Sequence, residues 1–338
     1  MKNLAYTTIV FTGIILVLVL GKSLLIPLVL AFFIWFIIHG IQTKINNISW
    51  VKKRVPIVLT NLFTAFLVLG TLAFFVNLLV VNLNHIMVNS GQYEQNVNVW
   101  KGMLPDTVLT YVEDIQSSYM DNANLGGVVK SVASAISDFL GNSFLIILYL
   151  IFILLEQSVF KKKIQQIAAL RSKPSEFLTT VADLSNTIAE YINLKILVSL
   201  ITGAGSYIVC LIVGLDAPLF WAVIIFVLNF IPNIGSMIGT LFPAAFALLQ
   251  FGSYVEMLQI LIPIGVIQLM VGNFVEPKIM GNSLNISALV VLLSLSVWGL
   301  IWGVTGMLLS VPLTVICTQI MAKFPTTKPI AILLGNGK

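Results

Sequence analysis

Long apolar runs separated by short polar segments dominate the chain. A helix needs about 20 predominantly apolar residues to cross ~30 Å of hydrocarbon, and several runs approach that length. The pattern therefore predicts an all-α, polytopic membrane protein with about eight membrane segments, two of them broken or re-entrant helical hairpins. The predicted helices are Leu4–Leu20, Ser23–Ile41, Pro56–Val81, Phe139–Leu155, Ile196–Gly214, Phe220–Phe230, Ser236–Leu249, Met257–Phe274, Ala288–Trp298 and Trp302–Ile320.

The first interrupted run is Phe220–Leu249, FWAVIIFVLNFIPNIGSMIGTLFPAAFALL. Asn229, Pro232, Asn233 and Gly235 break its middle. Pro232 has no N–H to donate, and its ring clashes with the preceding turn of a helix. Each half is expected to be too short to cross the membrane. Broken backbone at membrane depth is tolerated only inside protein or beside a polar cavity, so this run is a candidate permeation site.

The second interrupted run is SLSVWGLIWGVTGMLLSVPL. Its Gly299 and Gly303 repeat the four-residue spacing of Gly235 and Gly239, a pattern that lets two helix backbones approach closely. Pro312 is farther along the chain from Gly303 than Pro243 is from Gly239. Two glycine- and proline-interrupted runs late in one chain are typical of a transporter site.

Polar side chains inside or beside these runs are the candidates for a substrate pathway. An amide in hydrocarbon needs a partner, so it points into the protein or into a wet cavity. The alternative is a structural contact between helices. The predicted pathway residues are Asn229, Pro232, Asn233, Gly235, Ser236, Gln268, Asn273 and Glu276.

Composition agrees with a membrane protein and excludes several functions. Charged residues make up 9% of the 338 residues, far below the roughly 25% of a soluble domain. The basic residues that give the net charge of +5 lie between apolar runs, which argues against nucleic-acid binding. Cys210 and Cys317 lie in apolar runs, and His39 and His85 are far apart. We expect no metal site, no cofactor and no enzymatic activity.

Lys and Arg predict the orientation in the bilayer, because they are enriched in cytoplasmic loops. Placing both termini in the cytoplasm leaves only Lys22, Lys101 and Lys130 outside, of 18 basic residues. The first broken run then has its ends outside and its tip pointing inward. The expected segments are N-terminal transmembrane helices at 1–82, an extracytoplasmic helical insertion at 83–138, a transmembrane helix plus a cytoplasmic amphipathic helix at 139–195, a transport core at 196–322, and a cytoplasmic tail at 323–338.

Two amphipathic stripes lie in the insertion, one at Val108, Val112, Ile115 and Tyr119 and one at Leu125, Val128, Val132 and Ile136. Their spacing of three and four residues predicts helices with one apolar face. Such helices could lie on the membrane surface, pack on each other, or form an outer vestibule or an oligomer contact. The spacing does not separate these alternatives.

Five motifs in register resemble the autoinducer-2 exporter (PerM) family of bacterial permeases. They cover roughly Leu184–Ile320: Tyr191-Ile-x-x-Lys195, Gly214-Leu, Asn229-Phe-Ile-Pro-Asn-Ile-Gly235, Glu276-Pro-Lys-Ile-Met-Gly281, and Gly303-x-x-Gly306-Met-x-Leu-x-x-Pro312-Leu. The resemblance implies a multi-pass protein of the bacterial inner membrane and a homo-oligomer, with a pentamer as the candidate assembly. The positions that match the family's motifs are Pro232, Gly235, Glu276, Pro277, Gly306 and Pro312. We assign hinges to Pro277, Gly299, Gly303, Gly306 and Pro312.

The resemblance implies export of autoinducer-2, a small polyhydroxylated furanone derivative, or exchange of Na⁺ or Li⁺ for protons. The family often has an aromatic residue after the tip proline and a second proline after the glycine, where this chain has Asn233 and Ser236. This departure makes the break more polar and more flexible than the family pattern. Export of a small polar solute is the first hypothesis and cation/proton antiport, with Glu276 as the coupling carboxylate, the second. A third is a non-transport scaffold or sensor that uses the insertion for recognition.

Overall fold

A computed structural model of the chain describes residues 2–89, 91–93, 95–96, 125–280 and 286–335. Helices dominate these residues and no strand occurs among them, which confirms the all-α prediction. A π-helical turn, Val271–Val275, joins α9 to α10. In chain order, the helices are α1 Lys2–Leu20, α2 Lys22–Asn46, α3 Ser49–Arg54, α4 Ile57–Val88, α5 Leu125–Ala169, α6 Pro174–Val213, α7 Pro218–Leu228, α8 Ile234–Phe251, α9 Tyr254–Met270, α10 Glu276–Met280, α11 Ala288–Ala322 and α12 Lys328–Leu334.

Within the described residues, six helices are long and apolar enough to cross a membrane. A seventh candidate is a bent pair in α5, Ser143–Gln157 and Val159–Ala169, whose axes differ by 61°. Large apolar side chains such as Phe66 and Leu300 are 78% and 88% exposed, as expected of surfaces that face hydrocarbon. The polytopic prediction is confirmed, and the expected count of about eight segments is approximate.

The amphipathic helix predicted within 139–195 and the membrane helix predicted to begin at Ile196 form one continuous helix, α6, of 40 residues. The apolar stripe of α6 is more buried than most of the residues that separate its members. Its members are Phe177, Val181, Leu184, Ile188 and Tyr191. In the insertion, the stripe from Val108 to Tyr119 lies outside the described residues. The second insertion stripe falls in α5, which begins at Leu125.

The chain divides into two compact units, and each contains one interrupted run. The first-hairpin unit comprises Leu69–Gly141 and Leu197–Ile279. The second-hairpin unit comprises Met1–Val68, Asn142–Ile196 and Met280–Lys338.

The first interrupted run is an antiparallel hairpin of α7 and α8. A Cβ added to Gly235 would lie 1.7 Å from the Leu228 carbonyl oxygen, and one added to Gly239 would lie 3.5 Å from Ile225 Cγ1. These pairs run in opposite directions along the two arms, as in a hairpin whose tip lies between them. The predicted broken hairpin is therefore present.

The two arms of this hairpin differ in length. At 1.5 Å per residue, the 11 residues of α7 span about 17 Å, which is short, as expected. The 18 residues of α8 span about 27 Å and qualify as a membrane span. The expectation that both arms are too short is wrong for α8, because the helix extends two residues beyond each end of the predicted range Ser236–Leu249.

The second interrupted run folds back in the same manner inside α11. Gly303 has φ 63° and ψ −143°, a conformation that only glycine adopts readily. A Cβ on Gly306 would lie 1.9 Å from the Trp298 carbonyl oxygen, and one on Gly299 would lie 3.1 Å from Met307 Cγ. The 35 residues of α11 are therefore two antiparallel arms, 288–302 and 304–322.

A polar network fixes the base of the first hairpin. The Tyr93 hydroxyl donates to Asp216 Oδ2 at 2.8 Å, and the Gln250 side chain accepts from the Asp216 N–H at 2.6 Å. Gln250 Nε2 also donates to the Gly214 carbonyl at 3.0 Å, and Asn96 Nδ2 donates to the Gln250 carbonyl. The residues after α4 are thereby tied to both ends of the hairpin.

Tyr93 also packs into the apolar core of this unit. Only 2% of the residue is exposed, and its ring lies 5.2 Å from that of Phe246 in an edge-to-face arrangement. Burial, followed by the hydrogen bond to Asp216, raises the pKa of Tyr93 above its ordinary value. The hydroxyl therefore stays protonated and remains a donor to the carboxylate.

We predict that Gly235→Ala and Gly306→Ala destabilise the protein by about 3 kcal/mol or more, since the added methyl would meet backbone that no rotamer change can move. Gly70→Ala, in α4 with nothing within 4 Å of the new Cβ, is the control and should keep or raise the melting temperature. Thermal unfolding in detergent measures both. Equal melting temperatures for Gly235→Ala and Gly70→Ala would contradict the close approach of the arms.

We also predict that Tyr93→Phe lowers the free energy of unfolding by about 1.5–3 kcal/mol, the usual range for a hydrogen bond to a charged group. Tyr254→Phe is the matched control, because Tyr254 is 62% exposed. Melting curves of the two purified variants make the comparison. If both variants melt together with the wild type, the Tyr93 hydroxyl does not stabilise the hairpin base.

Candidate functional site

The tip of the first hairpin is a series of tight turns. The Ile231 N–H donates to the Leu228 carbonyl at 2.8 Å, and the Ile234 N–H donates to the Pro232 carbonyl at 2.6 Å. The second bond spans only two residues and makes Asn233 the centre of a γ-turn, with φ 58° and ψ −52°. Such a turn is strained for a residue with a side chain.

The side chains at the tip differ in their surroundings. Asn233 is exposed and its side chain makes no capping bond to α8, while Ser236 Oγ donates to the Asn233 carbonyl at 2.8 Å. Asn229 is only 7% exposed, and its Nδ2 donates to Ser199 Oγ on α6 at 3.1 Å. The structure thus gives Asn229 an interhelical bond and gives Asn233 a backbone role.

The two helix ends at the tip carry opposite partial charges. The backbone groups at these ends are mostly paired within the tip itself. The carbonyls of Val227 and Leu228 accept from the N–H groups three residues on, and the first two N–H groups of α8 donate to the Pro232 and Ile231 carbonyls. The side chain of Asn233 makes no bond to α8 and is exposed. The tip therefore offers a polar solute the helix-end dipoles and one exposed amide, without a charged side chain.

Gln268 lies against the hairpin about one turn from its tip. Its amide Nε2 is 3.4 Å from the position that a Gly239 Cβ would occupy. Gln268 is 7% exposed, and this nitrogen has no hydrogen-bond partner among the described residues. Leaving a buried amide donor unpaired costs about 1–3 kcal/mol, so its presence calls for a reason other than stability.

The helix that carries Gln268 changes its geometry beside the hairpin tip. Gly265 faces Thr240 and Gln268 faces Gly239, so α9 and α8 run antiparallel. Continuing this register places the π-helical turn Val271–Val275 level with the tip. Within the turn, the Glu276 N–H bonds to the Val271 carbonyl five residues earlier.

Pro277 follows this turn and explains it in part, because its nitrogen cannot donate to a carbonyl of the preceding turn. Helical structure continues through Met280, beyond the predicted end of this helix at Phe274. Asn273, in the π-helical turn, is exposed, Glu276 is half-buried and Pro277 is exposed. π-Helical turns are frequent at functional sites.

The hinge residues of the second interrupted run lie in the second-hairpin unit. Gly303 is the turn, and Gly306 makes the close approach to the opposite arm that Gly235 makes in the first hairpin. The Gly299–Gly303 and Gly235–Gly239 pairs share a spacing but do not hold equivalent positions in the two hairpins. Pro312 is buried within the second arm, and Trp298 Nε1 donates across the hairpin to Thr314 Oγ1 at 3.1 Å.

Sequence reasoning missed the face of α6 that receives the first hairpin. Ser199 bonds to Asn229, and a Cβ on Gly203 would lie 3.1 Å from the Ala222 carbonyl oxygen. Ser206, on the same face, is fully buried and its Oγ has no partner in the described part of the chain. Small residues at a spacing of three and four within an apolar run are the signal that could have found this face.

The buried polar side chains of the first-hairpin unit share one property. Among its described residues they are Ser199, Thr202, Ser206, Asn229 and Gln268, three hydroxyls and two amides. All are uncharged. The interior beside the hairpin therefore offers hydrogen bonds and helix-end dipoles, which suit an uncharged polar molecule better than a bare ion.

Comparison with known proteins agrees with the motifs. The AI-2E family transporter model matches residues 7–326. The AI-2 transport protein TqsA of Escherichia coli (strain K12) is 28% identical, over 97% of this chain and 95% of that protein. A putative transport protein of Haemophilus influenzae (strain ATCC 51907 / DSM 11121 / KW20 / Rd) is 31% identical, over 99% and 97% of the two chains.

A putative transport protein of Borreliella burgdorferi (strain ATCC 35210 / DSM 4680 / CIP 102532 / B31) is 33% identical, over 75% of this chain and 70% of that protein. The family match covers nearly the whole chain and confirms the resemblance inferred from the motifs. Together with the helical hairpins and the candidate membrane spans, it defines the class of protein. The chain is a multi-span membrane transporter and belongs to the AI-2E transporter family.

Proposed function

We propose that this transporter exports a small, uncharged polar solute of the autoinducer-2 type across the bacterial inner membrane. The observation that carries the proposal is the uncharged set of buried polar side chains in the first-hairpin unit. A relative named as an AI-2 transport protein aligns over nearly the full length of both chains, which supports the same solute class.

We further propose that both termini lie in the cytoplasm, so that the base of the first hairpin is at the outer face and its tip points inward. The distribution of Lys and Arg supports this orientation. A solute leaving the cell would then meet the tip first. The Tyr93–Asp216 bond would hold the hairpin base at the outer face.

The direct test is flux of autoinducer-2 through the purified protein in proteoliposomes. The proposal expects wild-type protein to release preloaded autoinducer-2 faster than protein-free liposomes do. It also expects Gly235→Ala to abolish release, because that variant cannot close the hairpin. Wild-type release no faster than that of empty liposomes would contradict autoinducer-2 as the solute.

Exchange of Na⁺ or Li⁺ for protons is the competing function, and Glu276 supports it. Glu276 is a half-buried carboxylate that follows the π-helical turn beside the hairpin tip. Proton coupling requires a group that changes charge in the pathway, and a carboxylate at this level of a membrane helix could serve. Its neighbour Lys278 is exposed.

We predict that Glu276→Gln keeps autoinducer-2 release within about threefold of wild type, since an uncharged solute requires no charge at this position. A pH-sensitive dye inside the vesicles should show no Na⁺-driven proton movement for either protein. The melting temperature of the variant controls for loss of structure. Na⁺-driven proton movement that the wild type shows and Glu276→Gln lacks would favour the antiporter.

We predict that Asn233→Gly retains at least half of the wild-type flux, because glycine adopts the positive φ of the γ-turn without strain. Asn233→Leu should lower both the flux and the melting temperature, since a bulky side chain at positive φ costs about 1–2 kcal/mol. Flux assays and thermal unfolding of the two variants separate the effect of the backbone conformation at position 233 from the effect of its side chain. Equal loss of flux in both variants, at unchanged melting temperature, would instead give the Asn233 amide a direct role in the pathway.

A further inference from the structure

Three buried side-chain atoms in the first-hairpin unit have no hydrogen-bond partner among the described residues. One is Glu256 Oε2 in the first turn of α9. The other two, Gln268 Nε2 on α9 and Ser206 Oγ on α6, belong to residues that are buried as a whole. Gln268 is 7% exposed and Ser206 is fully buried. Their neighbours on α6 are satisfied, since Ser199 accepts from Asn229 and Thr202 Oγ1 donates to the Val198 carbonyl at 2.9 Å.

Gln268 and Ser206 lie at neighbouring depths along the hairpin. On one side, Ser199 meets Asn229 and Gly203 faces Ala222 and Phe226, so the register continues Ser206 to about the level of residues 219–222 on α7. On the other side, Gln268 meets Gly239, which itself faces Ile225 of α7. The two levels differ by about three to six residues, or ~4.5–9 Å along a helix.

Gly239 leaves space in front of Gln268. A methyl group added there would lie 3.4 Å from Gln268 Nε2 and 3.5 Å from Ile225 Cγ1, which is ordinary van der Waals contact. Replacing glycine by alanine inside a helix is otherwise favourable. Glycine at this position therefore leaves a methyl-sized space beside the amide, within the seam between α8 and α9.

We propose that Gln268 and Ser206 are specificity-determining residues that bind the solute. Gln268 lies in the seam between α8 and α9, and Ser206 lies in the seam between α6 and α7, on the two sides of the hairpin. Gly239 provides the space for the solute beside Gln268. This inference rests on the proposed transport function and deepens it. An amide N–H and a hydroxyl are donors to hydroxyl, carbonyl or ether oxygens. The solute class is a small uncharged molecule with several oxygen acceptors.

The first experiment compares two glycine-to-alanine variants in the proteoliposome assay. Gly239→Ala places a methyl group against the Gln268 amide, so we expect autoinducer-2 release to fall by about tenfold or more. Gly265→Ala, on α9, meets only Thr240 Cγ2 at 3.7 Å and should stay within about twofold. Both variants should melt at or above the wild-type temperature. Equal release by the two variants would contradict the role of Gly239.

The second experiment tests the site without relying on the solute. Gln268→Cys and Ile264→Cys are made in full-length protein in which Cys210 and Cys317 are replaced by alanine. Ile264 lies on the same face of α9 one turn away, is fully buried, and belongs to the apolar core. A small, positively charged thiol reagent added to the protein in lipid vesicles should label Gln268→Cys at least about tenfold faster, because only a hydrated seam admits it.

Adding autoinducer-2 to the labelling reaction separates the two proposals. Protection of Gln268→Cys supports both the site and the solute. Labelling without protection supports the site and contradicts autoinducer-2 as its ligand. Labelling of Gln268→Cys no faster than that of Ile264→Cys overturns the site, even if the wild-type protein transports autoinducer-2.

Discussion

Both hairpins depend on a close contact between the backbone of one arm and a glycine of the other. In each hairpin, the carbonyl oxygen of one arm occupies the place where the Cβ of any other residue would stand, Leu228 against Gly235 and Trp298 against Gly306. Hydrocarbon offers no water to unpaired backbone groups, so a chain that turns there must bond its own polar groups within a few residues. The glycine contact brings the arms close enough for a short tip, and the γ-turn at Asn233 pairs the remaining groups.

The pairing of polar groups also distinguishes the side chains in the interior beside the first hairpin. Ser199 and Asn229 bind each other, which fixes α7 on α6, whereas Gln268 and Ser206 keep unpaired polar atoms in a buried place. An apolar replacement of equal size would stabilise the fold, because it would remove an unsatisfied donor. Proteins often give up stability where activity requires it, and this is the physical reason for proposing a transport role for the seam.

The sequence predicted much of the fold because apolar runs and their interruptions are local signals. The runs located the helices, and Pro232, Gly235 and Gly303 located the breaks. Pairing between arms is not local, so spacing alone matched Gly235 to Gly299 when its structural counterpart is Gly306. The polar character of Asn233 suggested a lining side chain, while the positive φ that gives it a backbone role appears only once the turn is built. The π-helical turn and the Ser206 face depend on helix register, which apolar periodicity does not specify.

An experimental map of the transporter in lipid nanodiscs, determined with and without autoinducer-2, tests the central claim most directly. The account predicts additional density in the presence of the solute, within hydrogen-bond distance of the Gln268 amide and beside Gly239. It also predicts that the γ-turn at Asn233 persists in at least one of the two maps. Solute density surrounded instead by charged side chains, away from the α7–α8 hairpin, would contradict it.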